Sequence, residues 1–271
     1  MPSTSKAILV VSFGTSYNDN REKTIGAIER LAAERFPDWE VRRAFTSKMI
    51  IKKLKTRDGE HVDYVDEALD RLLADGYKEV VVQPTHVMNG IEYEFVRDIS
   101  MGYSDRFDSL VVGKPLLTSP EDYDVVVEAL SKTIIKKAKT DLGPDSAVVL
   151  MGHGTEHYSN ATYSQLQLKL LLAGYEDVFV TTVEGFPDFE DTISLMEGHG
   201  IKDVLVTPFM LVAGDHANND MAGDDDDSLK NVLSSKGYHV TTLIMGLGEW
   251  KEFQEMFMSH IGDAVSETEK E

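Results

Sequence analysis

The chain has 271 residues, 42% of them hydrophobic, and a formal net charge of −20 from 27 basic against 47 acidic side chains. That length supports one large core or two domains of ordinary size. The charge repels phosphate backbones and anionic lipid, so neither nucleic acid nor membrane is expected as a partner, whereas a metal cation is compatible. The absence of cysteine excludes disulfides and thiolate catalysis and leaves any metal to His, carboxylate or water.

Met1-Pro2-Ser3-Thr4-Ser5-Lys6 runs directly into a strand-like stretch, with no separate apolar segment and no cleavage signal. It does not read as a secretory leader, so the expected location is the cytoplasm, or the periplasm only if a leader has been removed from the sequence. Strands are predicted over roughly 6–13, 39–46, 78–84, 108–113, 146–152, 177–184, 202–208 and 238–244. The longest apolar runs, Ala7 to Val11 and Ala147 to Met151, fall far short of the about 20 residues a membrane helix needs. Between the strands lie stripes of helical period, such as Val62, Val65, Leu69, Leu72 and Leu73, or Val125, Val126, Leu130 and Ile134. The second of these has a clear start: Ser119 to cap, Pro120 for the first helical position, and Glu121 with Asp122 for the dipole. Gly76, Gly174, Gly200 and Gly237 each stand where a helix must end before a strand. The alternation predicts an α/β chain with parallel sheets covered on both faces.

A long-range repeat divides it. Val10-Val11-Ser12-Phe13-Gly14-Thr15 matches Leu150-Met151-Gly152-His153-Gly154-Thr155 at an offset of 140, position 153 against 13. Lys78 to Pro84 matches Lys202 to Pro208 at an offset of 124, which sets Gly90 against Gly214 and Glu92 against His216. Ala44-Phe45-Thr46-Ser47 pairs more weakly with Thr182-Val183-Glu184-Gly185 at an offset of 138. The chain is therefore expected to be two similar Rossmann-like halves, each a four-stranded parallel sheet flanked by helices. They are placed at 1–130 and 131–271, joining somewhere within 120–145, with the C-terminal helix free to pack on the N-terminal half.

Ligands of open parallel sheets bind beyond the carboxyl ends of the strands. His153, Glu184 and the loop carrying His216 all follow predicted strands of the second half; their counterparts are Phe13, Thr46 and Glu92. If the halves face each other, one wall of the cleft holds a metal and the other an apolar, partly acidic surface. His153 between Gly152 and Gly154 is either a ligand or a turn histidine bonded to a carbonyl. His216 sits in a polar loop where Asp215 is available to orient its ring. Glu184 ends an apolar strand and is either paired or functional. Two His and a carboxylate suit a borderline divalent ion, Co²⁺, Fe²⁺, Ni²⁺ or Zn²⁺, with positions left open for substrate.

Other candidates carry less. His157 reads as the solvated first turn of the next helix, and Asp224 to Asp227 as a capped, dipole-complementing helix start. Ser12-Phe13-Gly14-Thr15-Ser16 lacks the lysine and glycine pattern of a phosphate loop. His61 and His199 read as surface or helix-end residues. His86 and Met88 follow the third strand, where substrate contact is expected.

These stretches resemble the anaerobic cobalt chelatases of cobalamin biosynthesis, the sirohydrochlorin cobaltochelatases of the class II chelatase group. The resemblance rests on Val10 to Ser16, Arg43 to Ser47, Met49-Ile50-Ile51, Met151 to Gly154, and Leu211 to His216 followed by Asn219-Asp220-Met221-Ala222. It implies a lyase that inserts Co²⁺ into sirohydrochlorin, a precorrin-2-type tetrapyrrole held between the halves, without ATP and without an organic cofactor. The metal then falls to His153, Glu184 and His216. Insertion releases two pyrrole protons, for which neutral His153 is the natural acceptor and Glu92 the alternative or relay. Phe13, Met88, Met210 and Leu211 are expected to pack the ring, with Thr15 and His86 beside them. Arg42, Arg43, Lys48, Lys52 and Lys53 are either a carboxylate-receiving patch or a solvated helix face. A related Fe²⁺ or Ni²⁺ chelatase and a non-catalytic tetrapyrrole or metal carrier remain as alternatives. A homo-oligomer is compatible with the sequence.

Overall fold

Every strand in the computed structural model, which describes residues 5–269, runs parallel to its neighbours. The first sheet contains β1 (Lys6–Ser12), β2 (Glu40–Phe45), β3 (Asp63–Tyr64), β4 (Glu79–Pro84) and β5 (Ser109–Val112), in the order β3-β2-β1-β4-β5. The second contains β6 (Ala147–Gly152), β7 (Val178–Thr182), β8 (Asp203–Pro208) and β9 (His239–Thr242), ordered β7-β6-β8-β9. The first sheet thus has five strands where four were expected. The extra one, β3, is two residues long and pairs only with Ala44 and Phe45, too short to leave a periodic signal.

The chain divides into two units. The described parts of Met1–Thr118 and Gln254–Glu271 form one, and Ser119–Phe253 the other. In each, one inner strand carries a continuous apolar, buried run, as helices on both faces require: Ile8 to Val11 and Ala147 to Met151 are 0% exposed. In the first unit Val65, Leu69 and Leu72 of the helix Val65–Asp75 pack on Leu9, Val11, Val80 and Val82. In the second, Ile193, Met196, Leu229 and Leu233 pack on Val149, Met151, Val204 and Val206. Among the described residues, no helix is long and apolar enough to cross a membrane.

Local signals act as their chemistry dictates. Ser119 Oγ accepts from the Asp122 N–H (3.2 Å) and the Asp122 carboxylate accepts from the Ser119 N–H (2.7 Å), with Pro120 opening the helix Pro120–Lys132. Ser119→Ala is expected to lower stability by about 1 kcal/mol, read as a shifted urea midpoint with an unchanged slope. The run Asp224 to Asp227 behaves differently from the expectation: Ser228 caps the helix Leu229–Ser235, its Oγ accepting from the Asn231 N–H. Asp224 instead pairs with Lys230 (3.2 Å).

The main-chain hydrogen bonds that close each strand exit repeat between the units. Thr85 N–H donates to Val11 O (2.8 Å) as Phe209 N–H does to Met151 O (2.7 Å), and Leu116 N–H to His86 O (2.9 Å) as Leu247 N–H to Met210 O (2.8 Å). Ser47 N–H donates to Phe13 O (3.2 Å) as Glu184 N–H does to His153 O (2.8 Å). Phe13 and His153 therefore occupy equivalent positions, and the offsets of 140 and 124 hold in three dimensions. The weaker offset is corrected from 138 to 137: β1 pairs Ser12 with Phe45 while β6 pairs Gly152 with Thr182. The counterpart of Glu184 is thus Ser47, one residue beyond Thr46. Past this point the loops differ in length, so the sequence match there lacked anchors.

Candidate metal centre

Three side chains of the second unit converge at the carboxyl edge of its sheet. His153 leaves β6, Glu184 lies two residues past β7, and His216 follows β8 on the loop that enters a single π-helical turn, Ala217–Met221. One ligand atom from each lies within 4.8 Å of the other two. Ligands of a tetrahedral ion with bonds of about 2.2 Å stand about 3.6 Å apart, so the exposed His153 and Glu184 side chains must draw closer to share one ion. The two imidazoles meet edge to face, their centroids 4.5 Å apart at 83°, and His153 Nδ1 lies 3.8 Å from Glu184 Oε2.

What holds each ring follows from its neighbours. His153 Nδ1 is 2.9 Å from the Gly154 carbonyl, which can only accept. Nδ1 therefore carries the proton, and Nε2 keeps its lone pair. His216 Nδ1 lies 2.8 Å from Asp220 Oδ2, the carboxylate–histidine pairing that fixes the tautomer of a ligating ring. This partner stands four residues on, where the sequence alone suggested Asp215. The spacing that betrays it is visible only once the loop is known to turn helically. Asp220→Asn is expected to weaken Co²⁺ binding at least tenfold, within the range of about 10–100-fold for such partners, while leaving the melting temperature unchanged. A cobalt titration of the variant checks this; unaltered affinity would mean that packing alone orients the ring.

The turn around His153 has no spare volume. Gly154 has φ +81°, and a Cβ there would stand 2.6 Å from Gly185 N; a Cβ on Gly152 would stand 2.2 Å from the Tyr163 ring. Tyr163 lies buried beneath the loop, its hydroxyl accepting from the Gly154 N–H (3.3 Å), and burial pushes its phenol up to about 12. Asn160 ties the loops together, accepting from the Thr155 N–H (3.0 Å) and donating to the Phe186 carbonyl (2.7 Å). Neither Tyr163 nor Asn160 was legible as a support of the site, because each acts from the following helix start. His157 caps the short turn Tyr158–Asn160, accepting from the Ser159 N–H.

Other expected site residues fare unequally. In the first unit, Phe13 is 45% exposed after β1, Met88 is half-buried, and Glu92 sits in the first turn of the helix Ile91–Met101. His86 has both ring nitrogens buried without a partner, and burial drives its pKa down to about 4, so it is neutral at pH 7. Thr15 is 3% exposed and its hydroxyl accepts from the Tyr17 N–H (3.2 Å), as Thr155 does from His157 (3.1 Å); this is a turn-forming role. In the second unit, Met210 packs against the core and Leu211 is 9% exposed. Their carbonyls accept from the Leu247 and Gly248 N–H groups, and Met210 keeps part of its surface exposed.

Residues 6–266 match the family described as Cobalt chelatase (CbiK). The chain belongs to the cobalt chelatase family. It is 42% identical to a sirohydrochlorin cobaltochelatase of Salmonella typhimurium over 262 residues, 96% of this chain and 97% of the relative. It is 33% identical to sirohydrochlorin cobaltochelatase CbiKC of Nitratidesulfovibrio vulgaris, over 98% of this chain and 93% of that one. The solved structure of SirB from Bacillus subtilis with Fe³⁺ shares the fold at a TM-score of 0.67 and 15% identity, covering 98% of both chains. The parallel sheets and their duplicated strand exits are thus the architecture of the cobalt chelatase family.

Proposed function

We propose that this chain inserts Co²⁺ into sirohydrochlorin without ATP, releasing two protons, and acts in the cytoplasm within anaerobic cobalamin biosynthesis. The observation that carries the proposal is the convergence of His153, Glu184 and His216 within 4.8 Å in a member of the cobalt chelatase family. Co²⁺ is a substrate here and no organic cofactor is involved. The second unit handles the metal and the first contributes ring contacts.

Two barriers define the chemistry. The hydrated ion must shed water, and two imidazoles with a carboxylate replace part of that shell while leaving positions for pyrrole nitrogens. Two pyrrole N–H protons must then find acceptors. As the ion passes to the ring, the freed Nε2 lone pair of His153 takes one proton, with Glu92 the alternative acceptor or relay, and the other proton leaves to solvent. Phe13 and Met88 supply apolar contact for the macrocycle face.

The test is the absorbance change of sirohydrochlorin on mixing with enzyme and Co²⁺, Fe²⁺ or Ni²⁺ in turn, against the spontaneous rate. Acceleration with Co²⁺ above the other ions is expected. Tight binding of sirohydrochlorin without acceleration would make the chain a carrier, and acceleration by Fe²⁺ or Ni²⁺ alone would reassign the metal.

A further inference from the structure

The helix Lys48–Asp58 breaks three electrostatic rules at once. It starts with Lys48 and has no acidic residue in its first turn, although a helix N-terminus favours anions. Lys48, Lys52 and Lys55 are exposed and fall within about 60° of one another at 100° per residue, a like-charge row that destabilises a helix. Among the described residues none of the three takes part in an ion pair, and Lys48 contacts only the Tyr64 ring, 4.7 Å from its centroid. Several lysines elsewhere are paired, Lys132 with Glu128 and Lys169 with Asp124 for example. Three unpaired cations on one helix face, in a chain with 47 acidic residues, form a local concentration of positive charge.

The repeat sharpens the contrast. The helix that follows the equivalent strand exit in the second unit, Phe189–Met196, is capped by Asp188 and carries Glu190 and Asp191 in its first turn. One copy of this helix start is acidic, as the dipole prefers, and the other is basic. Arg42 and Arg43, the cations of the preceding strand β2, are occupied: Arg43 by Glu29 (2.7 Å) and Arg42 by Glu40 (3.3 Å) and Asp75 (3.4 Å). Lys48 also stands at the carboxyl edge of the first sheet. Its neighbour Tyr64 is raised in pKa, first by burial and then by the charge of Glu92.

We propose that Lys48, Lys52 and Lys55 form a binding row for the peripheral carboxylates of the tetrapyrrole, fixing which edge of the macrocycle lies over the first unit. This rests on the function proposed above. Sirohydrochlorin carries several carboxylates and meets a protein of net charge −20, so its capture needs a local reversal of sign. Spacing along the helix of about 6 and 4.5 Å between successive lysines lets separate carboxylates on one macrocycle edge engage the row.

The experiment compares initial rates for the wild type, the triple variant Lys48→Gln/Lys52→Gln/Lys55→Gln, Lys48→Arg, and Lys53→Gln, which removes a charge from a different face of the same helix. Sirohydrochlorin and Co²⁺ are varied separately at two ionic strengths. The triple variant is expected to raise the KM for sirohydrochlorin about tenfold, each exposed pair contributing about 2–3-fold. Its kcat and its KM for Co²⁺ stay unchanged, and the salt dependence flattens. Lys48→Arg and Lys53→Gln remain within about twofold of wild type. A triple variant with wild-type KM and salt dependence overturns the inference, as does a Lys53→Gln effect equal to that of the triple variant. A wild type that neither binds sirohydrochlorin nor inserts metal removes the functional reading itself, and the inference falls with it.

Discussion

Alanine at position 153 is expected to abolish cobalt insertion while sirohydrochlorin binding survives. The contacts proposed for the macrocycle, apolar at Phe13 and Met88 and charged at the lysine row, belong to other residues, so the area they bury hardly changes. His216→Ala removes a ligand but no proton acceptor. Excess Co²⁺ should therefore restore part of its rate, because concentration offsets a lost ligand and cannot offset a lost base. Raising the pH should partly rescue His153→Ala, as hydroxide or buffer takes over as acceptor. Initial rate against Co²⁺ concentration at two pH values separates the cases. Equal rescue of both variants by metal alone would make His153 a ligand only and pass the base role to Glu92.

Gly154→Ala should be nearly as damaging by a different route. At φ +81° a side chain costs about 1–3 kcal/mol, and here the new Cβ also overlaps Gly185 N at 2.6 Å and Glu184 C at 2.8 Å. Neither is the end of a flexible side chain, so the Glu184 backbone must move. Expected together are a loss of stability of about 2 kcal/mol or more and a loss of Co²⁺ affinity. Gly14→Ala is the control. Gly14 holds the equivalent turn of the first unit at φ +97°, and its added Cβ would meet the Phe45 ring at 2.6 Å. That variant should destabilise to a similar degree yet leave cobalt affinity intact, as thermal melts with and without Co²⁺ would show. Affinity lost equally in both would mean that global softening, not displacement of Glu184, is responsible.

The sheets were legible because buried parallel strands such as Ala147 to Met151 must be continuously apolar, and because Gly76, Gly174 and Gly237 mark helix ends, with φ between +87° and +93°; Gly200 does not, since the helix Phe189–Met196 is closed by Glu197. The repeat was legible wherever a strand anchored it. It slipped by one residue at Glu184, where β2 and β7 end and nothing periodic remains. The three residues brought within reach of one ion had each been marked by chemistry at a strand exit. Their supports were not, since Asp220, Asn160 and Tyr163 act through turns whose geometry no short pattern encodes. For Met210 and Leu211, apolar character does not say whether a side chain faces a ligand or its own core. The lysine row was visible as composition, but that Arg42 and Arg43 were already paired while Lys48, Lys52 and Lys55 were not required three dimensions.

The strand exits are closed by main-chain hydrogen bonds, Ser47 to Phe13 and Glu184 to His153 among them, so the backbone there does not depend on which side chain is present. Each exit is in effect a socket. A duplicated chain owns every socket twice, and one copy is free to change its chemistry while the other keeps working. Phe13, Ser47 and Glu92 fill one set; His153, Glu184 and His216 fill the other. Specialisation of this kind needs no new fold and no new loop, only substitutions that folding does not police. It is a cheap route from two like halves to two halves of different chemistry.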